Sequence, residues 1–448
     1  MPAELSTDDL TPDRFDTVIV AGADMQGRLF GRRLPARRFL ADPAQGVDIC
    51  TCVFVWDIAE DPGADVPFAG PHTGWSDLVL APDLTTLRPY PGVEGTAICL
   101  ADVLDEHGEP LAMAPRAILR RQVERAGAMG FGVQAASELE FYLFRGSVRE
   151  ARLRGFRDLE PTTLVRSDYS IVGQAAQEPF IRRVRREMDA ARIPIWACQA
   201  EYGLGQWEVN LEHADPVEMA DRHVVYKAGL KEMALQEDLA ATFMARPVAT
   251  DMGSSGHVHV SLWRGDEPAF AGGEGPHALS DAGRSFVGGL LAHLDETALF
   301  FAPYVNSYKR HLTEDFGGGI EAWGFDNRTI AIRVVGSGPS LRVEHRYPGA
   351  DANPYLSMAA VLAAGLDGIE RGVDPGAPFE GDAYGDAQLR RTPRSLVEAL
   401  VAFEESAFVR DTFGKDVVEH YSAHGRGEWE ASLRAVTDWE INRAFEQA

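Results

Sequence analysis

Two strand-like segments concentrate the side chains best suited to chemistry. In Val133-Gln-Ala-Ala-Ser-Glu-Leu-Glu-Phe-Tyr-Leu-Phe144, alternation sets Val133, Ala135, Leu139, Phe141 and Leu143 on one face, and Glu138 and Glu140 on the other. Two carboxylates sharing one face repel unless a cation lies between them, and hard divalent ions take such oxygen ligands. A solvated sheet face is the plainer reading. In Gly253-Ser-Ser-Gly-His-Val-His-Val-Ser261, the residues His257, His259 and Ser261 point one way. One imidazole can bind a metal while its neighbour donates to phosphate. The glycines and serines before them, Gly253 first, let backbone N–H groups approach a small substrate. Glu201 and Glu208 stand at either end of a glycine-containing turn, which can fold both toward one ion or serve as an ordinary hairpin. Arg342, Glu344 and Arg346 share one face of Ser340–Pro348. There, arginines can hold anionic groups and the glutamate a metal, or the row is a surface ladder. Arg310, Arg328 and Arg333 add cations suited to charge developing on a transferring phosphoryl group.

The elements that must position these residues follow from pattern. Short β runs at 16–21, 47–58 and from Asp77, with a hairpin over 22–31, predict a small, mostly β unit ending near residue 109. Residues 59–76 and 371–394, rich in Pro, Gly and Asp, read as long loops, and 264–283 reads as an exposed glycine-rich loop. A helix starts at Pro115, where a missing N–H costs nothing, and stops before Gly130. Phe180, Val184 and Met188 mark a second helix, and a long helical pattern covers about 217–241.

Composition narrows the function. The 448 residues carry 43 Lys and Arg against 68 Asp and Glu, a formal net charge of −25. Such a surface repels phosphate backbones, so nucleic acid is excluded as the expected partner. Four cysteines without a CxxC pair give neither a disulfide framework nor a zinc ribbon, and Cys50-x-Cys52 reads as strand. No membrane-length apolar run and no signal-like N-terminus is present, so the expectation is a cytoplasmic protein. Walker, Rossmann and kinase fingerprints are absent, so any ATP site uses another architecture.

Taken together and in order, SELEF, GQWE, GSSGHVHVS, NSYKR, DNRT and RVEHRYPGADANPY resemble the glutamine synthetase superfamily over nearly the whole chain. The resemblance implies an α+β fold. A small N-terminal β-grasp-like domain (1–109) would precede a catalytic domain (110–448) built on a curved antiparallel half-barrel backed by helices. It implies ATP as co-substrate and Mg²⁺ or Mn²⁺ as cofactor. Glu140, Glu201 and Glu208 would hold one ion, and Glu138, His257 and Glu344 the second. Gly253, Arg310 and Arg346 match positions that grip glutamate. His259, Ser261, Arg333 and Arg342 match the nucleotide side, and Arg328 faces the transferred phosphate. The family assembles stacked rings of identical subunits with shared active sites, which is the expectation here. Two steps are implied: phosphorylation of the glutamate γ-carboxylate, then attack by a neutral amine.

The departures from the family pattern concern the amine. Where ammonia-specific members carry a flap glutamate, Phe316 stands, followed by Gly317-Gly-Gly319; Glu314, Asp315 and Glu321 fall off register. Met252 replaces the usual asparagine and Pro339 the nucleotide-side lysine, while the small domain lacks Asp-Gly-Ser-Ser and offers Asp57 as its nearest catalytic candidate. Tyr384 falls roughly where family members can be adenylylated, in different surroundings. These changes predict a ligase for an organic amine of the γ-glutamylpolyamine, γ-glutamylethanolamide or γ-glutamylmethylamide kind. The alternatives are an ordinary ammonia-using glutamine synthetase and a catalytically silent ring subunit. Met252 also leaves open an acid donor other than glutamate.

Overall fold

The computed structural model describes residues 5–61, 66–272, 278–312 and 316–448. Glu314 and Asp315 lie outside the described residues. Two sheets organise the chain. The first has six strands, with Thr17–Ala23 and Thr96–Leu104 paired in parallel at its centre. Leu29–Pro35 closes a hairpin on Thr17–Ala23, and Asp77–Pro82 and Val47–Cys50 extend the other side.

The second sheet has nine strands and forms a curved, barrel-like wall backed by helices. Its main order runs Trp323–Phe325, Ile332–Val335, Arg342–His345, Gly256–Arg264, Gly132–Arg145, Gln206–Leu211, Ile195–Ala200. Every pair in it is antiparallel except Trp323–Phe325 with Ile332–Val335. Antiparallel pairing matters to the site, because it sets residues of distant sequence directly opposite one another.

The helices behind the sheet form for local reasons. Pro216–Gln236 opens with Asp215, whose carboxylate accepts from the Val217 N–H at 3.0 Å. Pro354–Arg371 opens with Asn353 accepting from the Tyr355 N–H at 3.0 Å and closes at Gly372 in the left-handed region. One continuous apolar core runs from Val20 and Leu80 in the first sheet through Leu139 and Val258 to Phe300 and Leu362. Buried Arg116 stitches the two halves, reaching Asp83 at 2.8 Å, Asp102 at 2.5 Å and Asp221 at 3.0 Å.

Several sequence expectations need correction. The run 47–58 stops being strand at Cys50, where the chain turns into a 3₁₀ segment at Thr51–Phe54. Cys50 accepts there from the Cys52 N–H, so the Cys-x-Cys pair is a turn, not a buried strand. The long helix ends at Gln236, and Leu239–Thr242 is a strand against Gly132–Arg145; the apolar residues past 236 pack on the sheet rather than continue the helix. Within 264–283, Ala269 and Phe270 are buried, with Phe270 against Phe286, so that segment is anchored in the core. Strand Arg342–His345 ends one residue before Arg346.

Candidate active site

Register assembles the chemistry. Glu140 lies opposite Glu208, Glu138 opposite His257, and His259 opposite Glu344, which itself faces Arg333. Glu201 follows directly on the strand Ile195–Ala200 that pairs with Gln206–Leu211. A cavity of about 1110 Å³ is bounded by thirteen of the fifteen residues singled out from sequence: Glu138, Glu140, Glu201, Glu208, Gly253, His257, His259, Ser261, Arg310, Arg328, Arg333, Arg342 and Arg346. Glu344 sits immediately behind the wall, with no exposed surface. Asp57 does not join them in this chain. Its Oδ1 accepts from the Ala59 N–H at 2.7 Å and the Asp61 N–H at 3.0 Å, beside a separate small cavity lined by His424 and Glu428.

Two carboxylate groupings are distinct. In the first, Glu140 accepts from the Ser255 N–H at 2.9 Å and from Gln206 Nε2 at 3.0 Å. Glu208 accepts from Gln199 Nε2 at 2.6 Å and Asn210 Nδ2 at 3.1 Å. Burial above all, with repulsion from Glu138 among its causes, pushes the Glu140 carboxyl up to about 7. Burial and then repulsion from Glu140 push Glu201 up to about 8. Burial, Glu138, Glu201 and Glu140 raise Glu208 well above the carboxylate range. Three carboxyls held together at such cost are oxygen donors of the type that a hard divalent cation takes.

In the second grouping, His257 Nδ1 lies 3.0 Å from Glu138 and 3.4 Å from Glu344, and His259 Nε2 lies 3.2 Å from Glu138. Burial lowers the His257 imidazole to about 4, with Arg346 adding to it, so the ring is neutral near pH 7 and able to ligate. Its Nε2 is buried without a hydrogen-bond partner. Burial would raise Glu344, but Arg346, then His259 and His257, bring it down to about 2. Arg333 donates to Glu344 at 2.7 Å, and Arg346 donates to its other oxygen. Ligand atoms of Glu138, His259 and Glu344 all lie within 4.8 Å of one another, so His259, placed from sequence on the nucleotide side, also stands beside this carboxylate pair.

The rest of the cavity is built for anions. Arg310 is buried, donating to Ser255 Oγ at 3.0 Å and to the Tyr347 carbonyl. A Cβ at Gly253 would stand 2.4 Å from the Arg310 side chain, so only glycine allows this approach. Arg342 donates to His259 Nδ1 at 3.3 Å, and Ser261 accepts from Trp263 Nε1 at 3.0 Å. Arg328 is exposed on the cavity wall.

Sequence reasoning missed the supporting ring of Gln199, Gln206, Asn210 and Ser255, which orient the first carboxylate grouping. Alternation from Glu208 and Glu201 would have pointed to Gln206, Asn210 and Gln199. It also missed Asp168, Tyr169 and Trp196 on the cavity wall, which lie in segments without a motif. Phe316 and Met252 do line the cavity. Phe316 has φ +63, its N–H donates to Tyr384 Oη at 2.7 Å, and the two rings meet edge-on. Tyr384 therefore holds the flap residue.

A family model described as "Glutamine synthetase, catalytic domain" matches residues 112–444. The chain is 41% identical to the gamma-glutamylethanolamide synthetase of Streptomyces coelicolor, over 96% of this chain and 93% of that protein. It is 38% identical to the glutamate–isopropylamine ligase of a Pseudomonas species, over 96% of this chain and 94% of the relative. Among solved structures, ligand-free GmaS superposes with a TM-score of 0.84 at 27% identity, covering 98% of this chain and 99% of that one.

Proposed function

Because this chain belongs to the glutamine synthetase family, a ligase that forms C–N bonds, we propose that it phosphorylates the γ-carboxylate of glutamate with ATP and joins it to an organic amine in preference to ammonia. One observation carries the reading: a cavity faced by five of the six proposed metal donors and backed by the sixth also has Phe316 on its wall, where an ammonia enzyme needs a carboxylate. One relative is named for an ethanolamide product and another for isopropylamine, which supports an organic amine here.

Glu140, Glu201 and Glu208 would hold one divalent ion, and Glu138, His257 and Glu344 a second. Both donor sets are oxygen-rich with at most one imidazole, which suits Mg²⁺ or Mn²⁺. When bound, such ions neutralise charge on the transferring phosphoryl group. The chain's own groups do the rest. Gly253, Arg310 and Arg346 hold glutamate with its γ-carboxylate toward the nucleotide. His259, Ser261, Arg333 and Arg342 hold ATP, while Arg328 meets charge developing on the γ-phosphoryl as ADP leaves. A neutral amine then attacks the acyl carbon and phosphate departs with the bonding electrons.

Asp57 is proposed to close the site of a neighbouring copy in a ring of identical subunits, since it stands apart from its own cavity. Among the described residues no helix is long and apolar enough to cross a membrane, and a cytoplasmic ligase is proposed. Incubating the protein with ATP, Mg²⁺, glutamate and a panel of amines, with product masses read out, tests the function. Glutamyl amides of organic amines are expected; product from ammonium alone would overturn the amine preference. Repeating the assay with other carboxylic acids tests the donor, given Met252.

A further inference from the structure

The reaction needs a proton acceptor, because organic amines are cations at neutral pH and only the uncharged form attacks. The residue that would serve ammonia at the flap is Phe316, a hydrocarbon ring. Within this chain another carboxylate fills the need. Asp168 lines the cavity, is exposed, and makes no hydrogen bond or ion pair among the described residues. It stands close enough to Glu201 to add to that carboxyl's electrostatic burden.

Its segment is fixed in place. Arg166 donates to the Tyr202 carbonyl at 2.7 Å and to Asp251 at 2.8 Å, and Asp251 also accepts from the Leu204 N–H at 3.0 Å. Arg166 packs over the Tyr202 ring at 4.3 Å. Three residues on, the Tyr169 N–H donates to the Ala200 carbonyl, next to Glu201, at 3.3 Å. Tyr169 holds φ +54, an outlier for an aromatic residue that the surroundings must enforce. The Tyr169 ring feels the charges of Glu201, Glu208, Arg328 and Asp168 together, so this segment overlooks the place where acyl phosphate would form. Tyr169, Trp196 and Tyr202 line the cavity with exposed rings, surfaces that suit the apolar body of an alkylammonium ion.

We propose that Asp168 receives the ammonium group of the organic amine and takes its proton, an inference that rests on the amine-ligase reading above. The balance is simple. Asp168 carboxylate takes one proton from R–NH₃⁺, leaving R–NH₂. The nitrogen lone pair forms the C–N bond, and the C–O bond to phosphate breaks with its electrons on oxygen. The second proton lost from nitrogen goes to the departing phosphate, and Asp168 releases its own to solvent.

The test compares Asp168→Asn with the unchanged protein, using ethanolamine and hydroxylamine as nucleophiles. Hydroxylamine is already uncharged at neutral pH and captures γ-glutamyl phosphate without a base. The expected result is a fall of about 10²-fold or more in kcat/KM for ethanolamide formation, with hydroxamate formation kept within about threefold. Asp168→Glu should recover part of the loss. Equal loss with both nucleophiles would overturn the proposal, since Asp168 would then act on phosphoryl transfer, for example through Arg328. Undiminished ethanolamide formation in Asp168→Asn would overturn it too, while leaving the ligase reading intact. A natural chain that couples no amine at all would instead sink the ligase reading, and this inference with it.

Discussion

The two carboxylate groupings face one cavity, yet their surroundings are electrostatic opposites. Glu344 has two guanidiniums of its own, Arg333 and Arg346, and is held ionised down to about 2 despite full burial. Glu140, Glu201 and Glu208 are braced by neutral amides and a backbone N–H, and burial with repulsion from neighbouring carboxylates, Glu138 among them, raises all three. The Glu344 grouping is complete in the bare chain. The grouping of Glu140, Glu201 and Glu208 is a negative concavity that an added cation, or protons, can balance. The protein thus sets fixed positive charge directly against one proposed metal-binding set and mainly neutral donors against the other.

The largest way to break this contrast is Glu344→Gln. Removing one member of a buried charge cluster strands its partners, so unfolding of the metal-free protein in denaturant should show a loss of about 3–5 kcal/mol. Arg346, with 4% of its surface exposed, has no solvent to turn to. Glu208→Gln should do the reverse. It deletes a repelling charge, so the metal-free protein should melt no lower than the original. The rise in Tm given by Mg²⁺ with ATP should shrink, and ligase turnover should fall by at least ~10²-fold. A drop in metal-free stability for Glu208→Gln as large as that for Glu344→Gln would erase the distinction.

The difference between the groupings was only half legible in the sequence. Alternation alone put Glu138 with Glu140, and His257 with His259 and Ser261, and the strands bear that out. What alternation cannot give is register, because pairing is set by turns and by core packing between separate segments of the chain. That Glu140 faces Glu208 while Glu344 faces Arg333 is a register fact, and it decides which carboxylate is compensated. Asp168 escaped notice because its position comes from the Arg166–Asp251 clamp, a contact across 85 residues. The helix carrying Pro216 was legible at its start, where Asp215 and Pro216 act locally. Its end was not, because packing at Leu239–Thr242 overrode helical periodicity.

The contrast can be sharpened with pH. For Glu140 and Glu201, the folded values of about 7 and about 8 exceed the ordinary 4.5, so the metal-free native state binds more protons than the unfolded chain between those limits. Its stability should therefore fall as pH rises from 4.5 to 8. For Glu344 the folded value of about 2 lies below 4.5, so its contribution is present above 4.5 and is lost as pH falls toward 2. Chemical denaturation across pH should show the alkaline-side slope flattened by Mg²⁺ and reduced in Glu201→Gln, with the acid-side slope reduced only in Glu344→Gln. A slope from 4.5 to 8 that neither Mg²⁺ nor Glu201→Gln alters would refute this account.

The smallest expected effect lies at the outer edge of the compensated grouping. Arg333 also contacts Asp326, whose side chain is 72% exposed. Solvent screens that pair, and exposed ion pairs contribute about 0–1 kcal/mol. Asp326 has φ +48, a conformation that asparagine tolerates as well as aspartate does, so Asp326→Asn removes the charge without straining the turn. Its backbone N–H still donates to the Val334 carbonyl at 3.0 Å. Arg333 keeps its 2.7 Å bond to Glu344. Denaturant unfolding of Asp326→Asn should then differ from the original by less than about 1 kcal/mol, the upper end of that range. A loss approaching that of Glu344→Gln would mean that Arg333 is held from outside the cavity, by the exposed aspartate rather than by the buried glutamate.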